Sequence, residues 1–217
     1  TLSIHSFPTR RSSDLIKSNK TVTFELYKKG FLGYGADALT GEIVVEKIGI
    51  PRSVVDKFHE NEYIMDIKFI KGLIKKRNKY SYKGDFGRAL ILAGSVGLTG
   101  AAYISTQAAV RSGAGLVTLG CDSSIQNILS GKLVEAMTAS TNDEKRLDSL
   151  ITKSDCIAIG PGLGNNKITK NLLQKVLLNS KCPVVIDSDG LNVLEGNLEM
   201  LKNRKCQIVL KIGRAHV

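Results

Sequence analysis

The sequence predicts an α/β fold in which a mostly parallel sheet carries helices on both faces. Three observations predict it. From residue 82 onward, short apolar runs of strand length alternate with helical patterns, the arrangement of βαβ units. RALILAGS (88–95) reads as a buried strand. Glycine-rich turns recur where a strand hands over to a helix, at 94–102 and 159–166.

Each element follows in order. TVTFEL (21–26) is rich in β-branched and aromatic residues and predicts a strand, and Gly30, Gly33 and Gly35 punctuate a loop. EIVVEKIGIP (42–51) predicts a second strand, stopped by Pro51. Two strands alone do not make a stable domain. Residues 52–81 are polar and basic and predict a linker with some helix. After the strand at 88–95, residues 99–113 predict a helix with Thr99 as N-cap and Gly113 as its stop. GLVTLG (115–120) predicts a strand, 123–131 and 144–153 helices, and DCIAIG (155–160) another strand. An amphipathic helix at 166–180, a strand at 183–187, a helical turn near Leu191 and a last strand at 206–210 complete the pattern.

Composition excludes several classes. The chain has 217 residues, 42% hydrophobic and 24% charged, with 21 Gly, 4 Pro and no Trp. Collagen, a disordered tail and a disulfide-dense mini-protein do not have this composition. No apolar run approaches the roughly 18 residues of a membrane span, so no membrane partner is expected. The net charge is +11, which suits an anionic ligand. The densest basic run, KGLIKKRNKY (71–80), has a single aromatic, Tyr80, and reads as a solvated linker or helix face. Nucleic acid is therefore not the expected partner. The four cysteines lie far apart with no CxxC, which argues against zinc or any other metal site and for a reducing, cytoplasmic compartment.

The two ends break the pattern. Thr9 to Leu15 and Ile212 to Val217 back-translate into sequencing-library adaptor in opposite orientations, and Phe7 and Pro8 fit the same reading. Residues 1–15 and 211–217 are accordingly expected to be adaptor-like artefact rather than protein. His5 and His216 fall with them, which leaves His59 in a charged segment. With a single histidine, a Ser/His/Asp or Cys/His nucleophile system is poorly supported.

Ligands of open α/β sheets bind beyond the carboxyl ends of the strands, and three loops fall there. GSVGLTGAA (94–102) leaves backbone accessible ahead of a helix N-terminus, which suits an anion or only a tight turn. IGPGLGNN (159–166) has three glycines in five residues, and binding is favoured over turn geometry. In IDSDGLNVL (186–194), Asp187 leans towards function and Asp189 towards a helix cap. A fourth stretch, YKGDFGRAL (82–90), carries Lys83, which could reach a phosphate or simply be solvated.

Taken in order, KGDFGRALILAGSVGLTGAAYISTQAAVRSGAGLVTL, AIGPGLG and VVIDSDGLNVL resemble the NAD(P)H-hydrate dehydratase family over residues 82–210. The resemblance implies a ribokinase-like fold. Residues 16–51 look like the tail of an NAD(P)H-hydrate epimerase domain, an order that points to bifunctional NAD(P)H-hydrate repair enzymes. It further implies a hydro-lyase that uses ADP or ATP, with Mg²⁺, to phosphorylate the hydroxyl of hydrated NADH or NADPH and then eliminate phosphate. The partners implied are this dinucleotide hydrate and a second copy in a homo-oligomer. By motif match Gly100, Ala101, Gly162 and Gly164 would contact the hydrate, and Asp187 and Asn192 would line the same face.

The sequence departs from the family after Leu210. The family's HisProGlyGlu segment, its lysine-containing nucleotide loop and its GlyThrGlyAsp segment, which holds the expected catalytic Asp, do not follow. The domain is thus expected to be truncated at its C-terminus and inactive as written. No catalytic or nucleotide-binding residue is assigned within it, and the K⁺-binding motifs of the epimerase would lie upstream of Ile16. Two other readings stay open here: a small-molecule kinase of the same fold, and a non-catalytic nucleotide-binding or nucleic-acid-binding module.

Overall fold

The computed structural model describes residues 16–58, 62–74 and 76–213, in two compact units that divide between Lys75 and Lys76. Of the residues expected to be adaptor-like, 1–15 and 214–217 lie outside the described residues, as does His59, whereas Lys211 is described as the end of the last strand.

The first unit pairs β1 (Lys20–Phe24) with β2 (Glu42–Glu46) in parallel, Lys20 opposite Glu42 and Phe24 opposite Glu46. Between them lie a 3-10 turn (Lys29–Leu32) and α1 (Asp37–Thr40). Both strands are shorter than the sequence suggests. Glu25 turns the chain out of β1 at φ 61°, and Pro51 caps α2 (Arg52–Val55) instead of ending β2 directly. Helix α3 (Ile67–Leu73) begins where Asp66 accepts the Phe69 N–H. Among the described residues of this unit only Thr23 is buried, while Val22 and Phe24 are more than half exposed.

The second unit is a six-stranded sheet, all parallel. Its elements are β3 (Arg88–Leu92), α4 (Thr99–Arg111), β4 (Leu116–Cys121), α5 (Ser123–Lys132), β5 (Met137–Ser140) and α6 (Glu144–Lys153). They continue with β6 (Cys156–Ile159), α7 (Lys167–Asn179), β7 (Val184–Asp187), α8 (Asp189–Asn192), α9 (Glu199–Lys202) and β8 (Ile208–Lys211). The strand order is β5-β4-β3-β6-β7-β8. The chain therefore winds outward from β3 to β5, returns to the other side of β3, and winds outward again to β8.

Alternation along β3 separates two cores, because successive strand residues face opposite ways. Leu90 and Leu92 join Leu147 and Ile151 of α6 and Leu173, Val176 and Leu177 of α7. Ala89 and Ile91 join Ala102 of α4 and Ile125 and Leu129 of α5. The buried set of α7, Thr169, Leu173, Val176 and Leu177, falls on one helical face. Its amides are started by Asn166, whose Oδ1 accepts the Thr169 N–H at 3.0 Å, and Asp143 does the same for α6.

At the N-terminal rim, Arg77 lies 4.0 Å from the Phe86 ring centroid and donates to the Gly113 carbonyl at 2.7 Å. This residue of the basic run is thus anchored rather than simply solvated. At the far end of β4, Cys121 is fully buried, and burial, reinforced by the neighbouring Asp122 carboxylate, pushes its thiol up to about 11. The unshifted thiol ionises near pH 9.0. The unfolded chain therefore loses that proton first, and stability falls as pH rises from about 9 to 11, by about 2–3 kcal/mol. Urea denaturation should show that extra alkaline slope in the parent chain and not in Cys121→Ala; parallel pH profiles would refute it.

Candidate functional site

The topology creates one crevice. Strands β3 and β6 are neighbours, yet α4 leaves β3 for one face of the sheet and α7 leaves β6 for the other. Where connections diverge in this way, the carboxyl ends of the two strands open into a ligand-sized cleft. The turns that leave these strands are the two glycine loops singled out in the sequence.

These loops are stitched together. The Gly94 N–H donates to the Pro161 carbonyl at 2.8 Å, and the Ser95 hydroxyl donates to the Gly162 carbonyl at 2.8 Å. Gly162 has φ 66°, and a Cβ placed there would stand 2.9 Å from the Ala101 Cβ and 3.1 Å from the Leu98 carbonyl oxygen. Ala101 and Gly162, 61 residues apart in sequence, are therefore in contact. A Cβ on Gly100 would meet nothing within 4 Å, so that residue faces open space beside them.

Helix α4 starts differently from the sequence expectation. Leu98, not Thr99, holds the cap position and offers no side-chain bond. The tight turn closed by the Leu98 N–H on the Ser95 carbonyl brings the chain into the helix one residue earlier than a Thr99 cap would allow. Among the described residues, nothing accepts from the amides of Thr99, Gly100 or Ala101, which lie ahead of the first intrahelical bond. Three free N–H groups and the positive end of a 13-residue helix thus flank the glycine loop.

The third loop closes the site from the β7 side. Asp189 is not the α8 cap; Ser188 holds that position, at φ 49° and ψ −118°, a conformation that costs a non-glycine residue free energy. Asp189 instead accepts the Gly164 N–H on Oδ2 at 2.8 Å and the Asn192 Nδ2 on Oδ1 at 3.2 Å. Sequence spacing could not reveal this role, because the partner lies 25 residues away. Asp187 ends β7 with Oδ1 accepting the Ser188 N–H and with Lys211 Nζ at 3.1 and 3.0 Å from its two oxygens. Its carboxylate is charge-paired within the sheet, and Asn192 is exposed one turn further on.

Beside this cluster a cleft of ≈ 570 Å³ runs from Asn165 and Asn166 to Asn192 and Asn197, with Lys167 and Lys170 on its wall. Lys83 is not part of the site: its 3-10 turn (Lys83–Phe86) precedes β3, at the opposite rim from the glycine loops. No group of three or more His, Cys, Asp or Glu side chains that could hold a metal ion occurs among the described residues. Three of the four thiols, Cys121, Cys156 and Cys206, are held protonated chiefly by burial, so none of these three is an activated nucleophile. No helix among the described residues is long and apolar enough to cross a membrane.

With this geometry in view, comparison with known proteins is informative. Residues 89–211 match the family described as NAD(P)H-hydrate dehydratase. The bifunctional NAD(P)H-hydrate repair enzyme of Moorella thermoacetica is 35% identical over 205 residues, covering 90% of this chain and 39% of that protein. A ribokinase-like superfamily protein from Enterococcus faecalis superposes with a TM-score of 0.58 at 31% identity, over 64% of this chain and 52% of that one. The ADP/ATP-dependent NAD(P)H-hydrate dehydratase of Bacillus subtilis, co-crystallised with ATP and Mg²⁺, gives 0.52 at 25% identity, over 67% and 65%. The chain spans about two fifths of the length of the bifunctional relatives that it matches. The match runs from β3 through β8 and takes in all three loops of the crevice: this chain belongs to the NAD(P)H-hydrate dehydratase family.

Proposed function

We propose that the β3/β6 crevice binds the hydrated nicotinamide dinucleotide, and that the chain is the substrate-side part of an ADP- or ATP-dependent NAD(P)H-hydrate dehydratase. One observation carries this reading: Ala101 and Gly162 meet at the topological switch point, beside three unbonded amides of α4. Bare backbone lets a flat ring approach closely, and free N–H groups suit an anionic or hydroxylated ligand. Gly100 and Gly164 border the same crevice, and Asp187 and Asn192 mark its β7 side.

The reaction would convert hydrate and ADP into NAD(P)H, AMP and inorganic phosphate, with release of a proton. Hydroxide leaves poorly; once phosphorylated, the oxygen departs as phosphate. The work left to the protein is positioning and charge stabilisation. No residue described here is assigned to the nucleotide or to Mg²⁺, and no step is routed through them. We also propose that residues 16–51 are the tail of an epimerase domain. The 205-residue match to the bifunctional relative supports this, since it extends well beyond the dehydratase segment.

The test is calorimetric titration of the 217-residue chain with the hydrate of NADH, and separately with NADH. Saturable binding of hydrate, tighter than that of NADH, is expected; equal or absent binding would sink the reading. Adding ADP and Mg²⁺ to the same mixture checks the sequence expectation of inactivity, since recovery of absorbance at the NADH band above an enzyme-free control would overturn it.

A further inference from the structure

We propose that Asp189 and Ser95 are positioning residues that clamp the Gly160–Gly164 loop from its two sides in the geometry that receives substrate. The inference rests on the crevice being the hydrate site.

The loop needs such a device. Gly160, Gly162 and Gly164 all have positive φ, at 129°, 66° and 83°. Leu163 packs against the core, but the three glycines bring no side chain of their own to fix the peptides between them, and glycine has more conformational freedom to lose than any other residue. Its own backbone supplies only the Gly160 N–H on the Leu92 carbonyl, the Leu163 N–H on the Gly160 carbonyl, and the Pro161 carbonyl as acceptor for Gly94. The Gly162 and Gly164 peptides are instead fixed by side chains. Ser95, in the turn after β3, donates to the Gly162 carbonyl at 2.8 Å. Asp189, at the start of α8, accepts the Gly164 N–H at 2.8 Å. The second bond has a carboxylate acceptor and is the stronger type.

Asp189 is itself aimed. Asn192 Nδ2 holds its other oxygen at 3.2 Å, and Ser188 turns the chain through its positive-φ conformation immediately before it. Strain of this kind persists only where surrounding contacts over-determine it. The two clamps come from sequence positions 67 and 25 residues away from their loop partners. They join the turn after β3, the loop after β6 and the turn after β7 into one unit. Neither is assigned a contact with ligand; both act through the loop backbone.

The experiment uses the full chain with Asp189→Ala, Asp189→Asn and Ser95→Ala. The hydrate of NADH is titrated calorimetrically at matched folded fraction, and hydrogen exchange is followed at the Gly164 amide. Asp189→Ala should weaken hydrate binding at least tenfold and speed Gly164 exchange at least tenfold. Asp189→Asn should restore both to within about threefold, because its amide oxygen accepts the same N–H while Asn192 turns its own amide to accept. A merely structural role would lower the thermal midpoint yet leave the affinity of folded molecules unchanged, and that result would overturn the proposal. If Asp189→Ala does not fold, Ser95→Ala decides: weakened binding supports the clamp, unchanged binding overturns it. If the parent chain binds no hydrate, the substrate reading fails and the positioning role fails with it. That outcome is distinct from a parent that binds and variants that bind equally well.

Discussion

Gly160→Ala should destabilise the second unit by about 4 kcal/mol or more, among the largest effects of any single substitution. The physical reason is contact with backbone. A Cβ at this position would lie 1.8 Å from the Asp187 carbonyl oxygen, 2.9 Å from its carbon and 2.8 Å from the Gly190 nitrogen. None of these atoms belongs to a flexible side chain that could swing away. The residue also sits at φ 129°, where an L side chain is strained whatever the space. Relief would require β7 and the loop after β6 to move apart, although Ile159 and Ile186 pair across that boundary. Urea denaturation measures the loss, with Gly97→Ala as comparison for a positive-φ glycine whose surroundings are open. A cost for Gly160→Ala no greater than for Gly97→Ala would mean that the two loops are not in contact.

Gly100→Val should do the reverse, sparing the fold and damaging the site. No atom stands within 4 Å of a Cβ at this position, and the backbone there has no positive φ. In the first turn of α4 the replacement should change stability by no more than about 0.5 kcal/mol, as for substitutions away from packed or strained positions. If the hydrate lies against this bare backbone, the added branches occupy its place, and binding should weaken at least tenfold in calorimetric titration. Unchanged affinity with an intact fold would remove Gly100 from the site. The two glycines thus separate two uses of the same residue type: one lets backbone meet backbone, the other leaves backbone open to a ligand.

Much of this molecule could be read before its structure. The strands and helices from 88 to 187, β5 apart, declare themselves through local composition, because the residues that set each period lie within a few positions of one another. The misses have a common character. β5 was invisible because MTAS is short, edge-bound and only partly apolar. α9 was missed because four residues are too few to show a helical period. The first unit's strands were legible, but their parallel pairing was not, since nothing local specifies a partner.

The sequence by itself determined the α/β class, the membership carried by three glycine-bearing loops, and the candidate residues Gly100, Ala101, Gly162, Gly164, Asp187 and Asn192. Only the tertiary structure decided what those loops do to one another. It set Ala101 against Gly162, carried Lys83 to the opposite rim, paired Asp187 with Lys211, and turned Asp189 from the expected cap into a ligand for the Gly164 amide. The reason is range. A helix cap or a strand is encoded by neighbours a few residues apart, whereas hydrogen bonds across 25 or 67 residues exist only once the strand order β3-β6-β7 has placed three chain reversals on one rim.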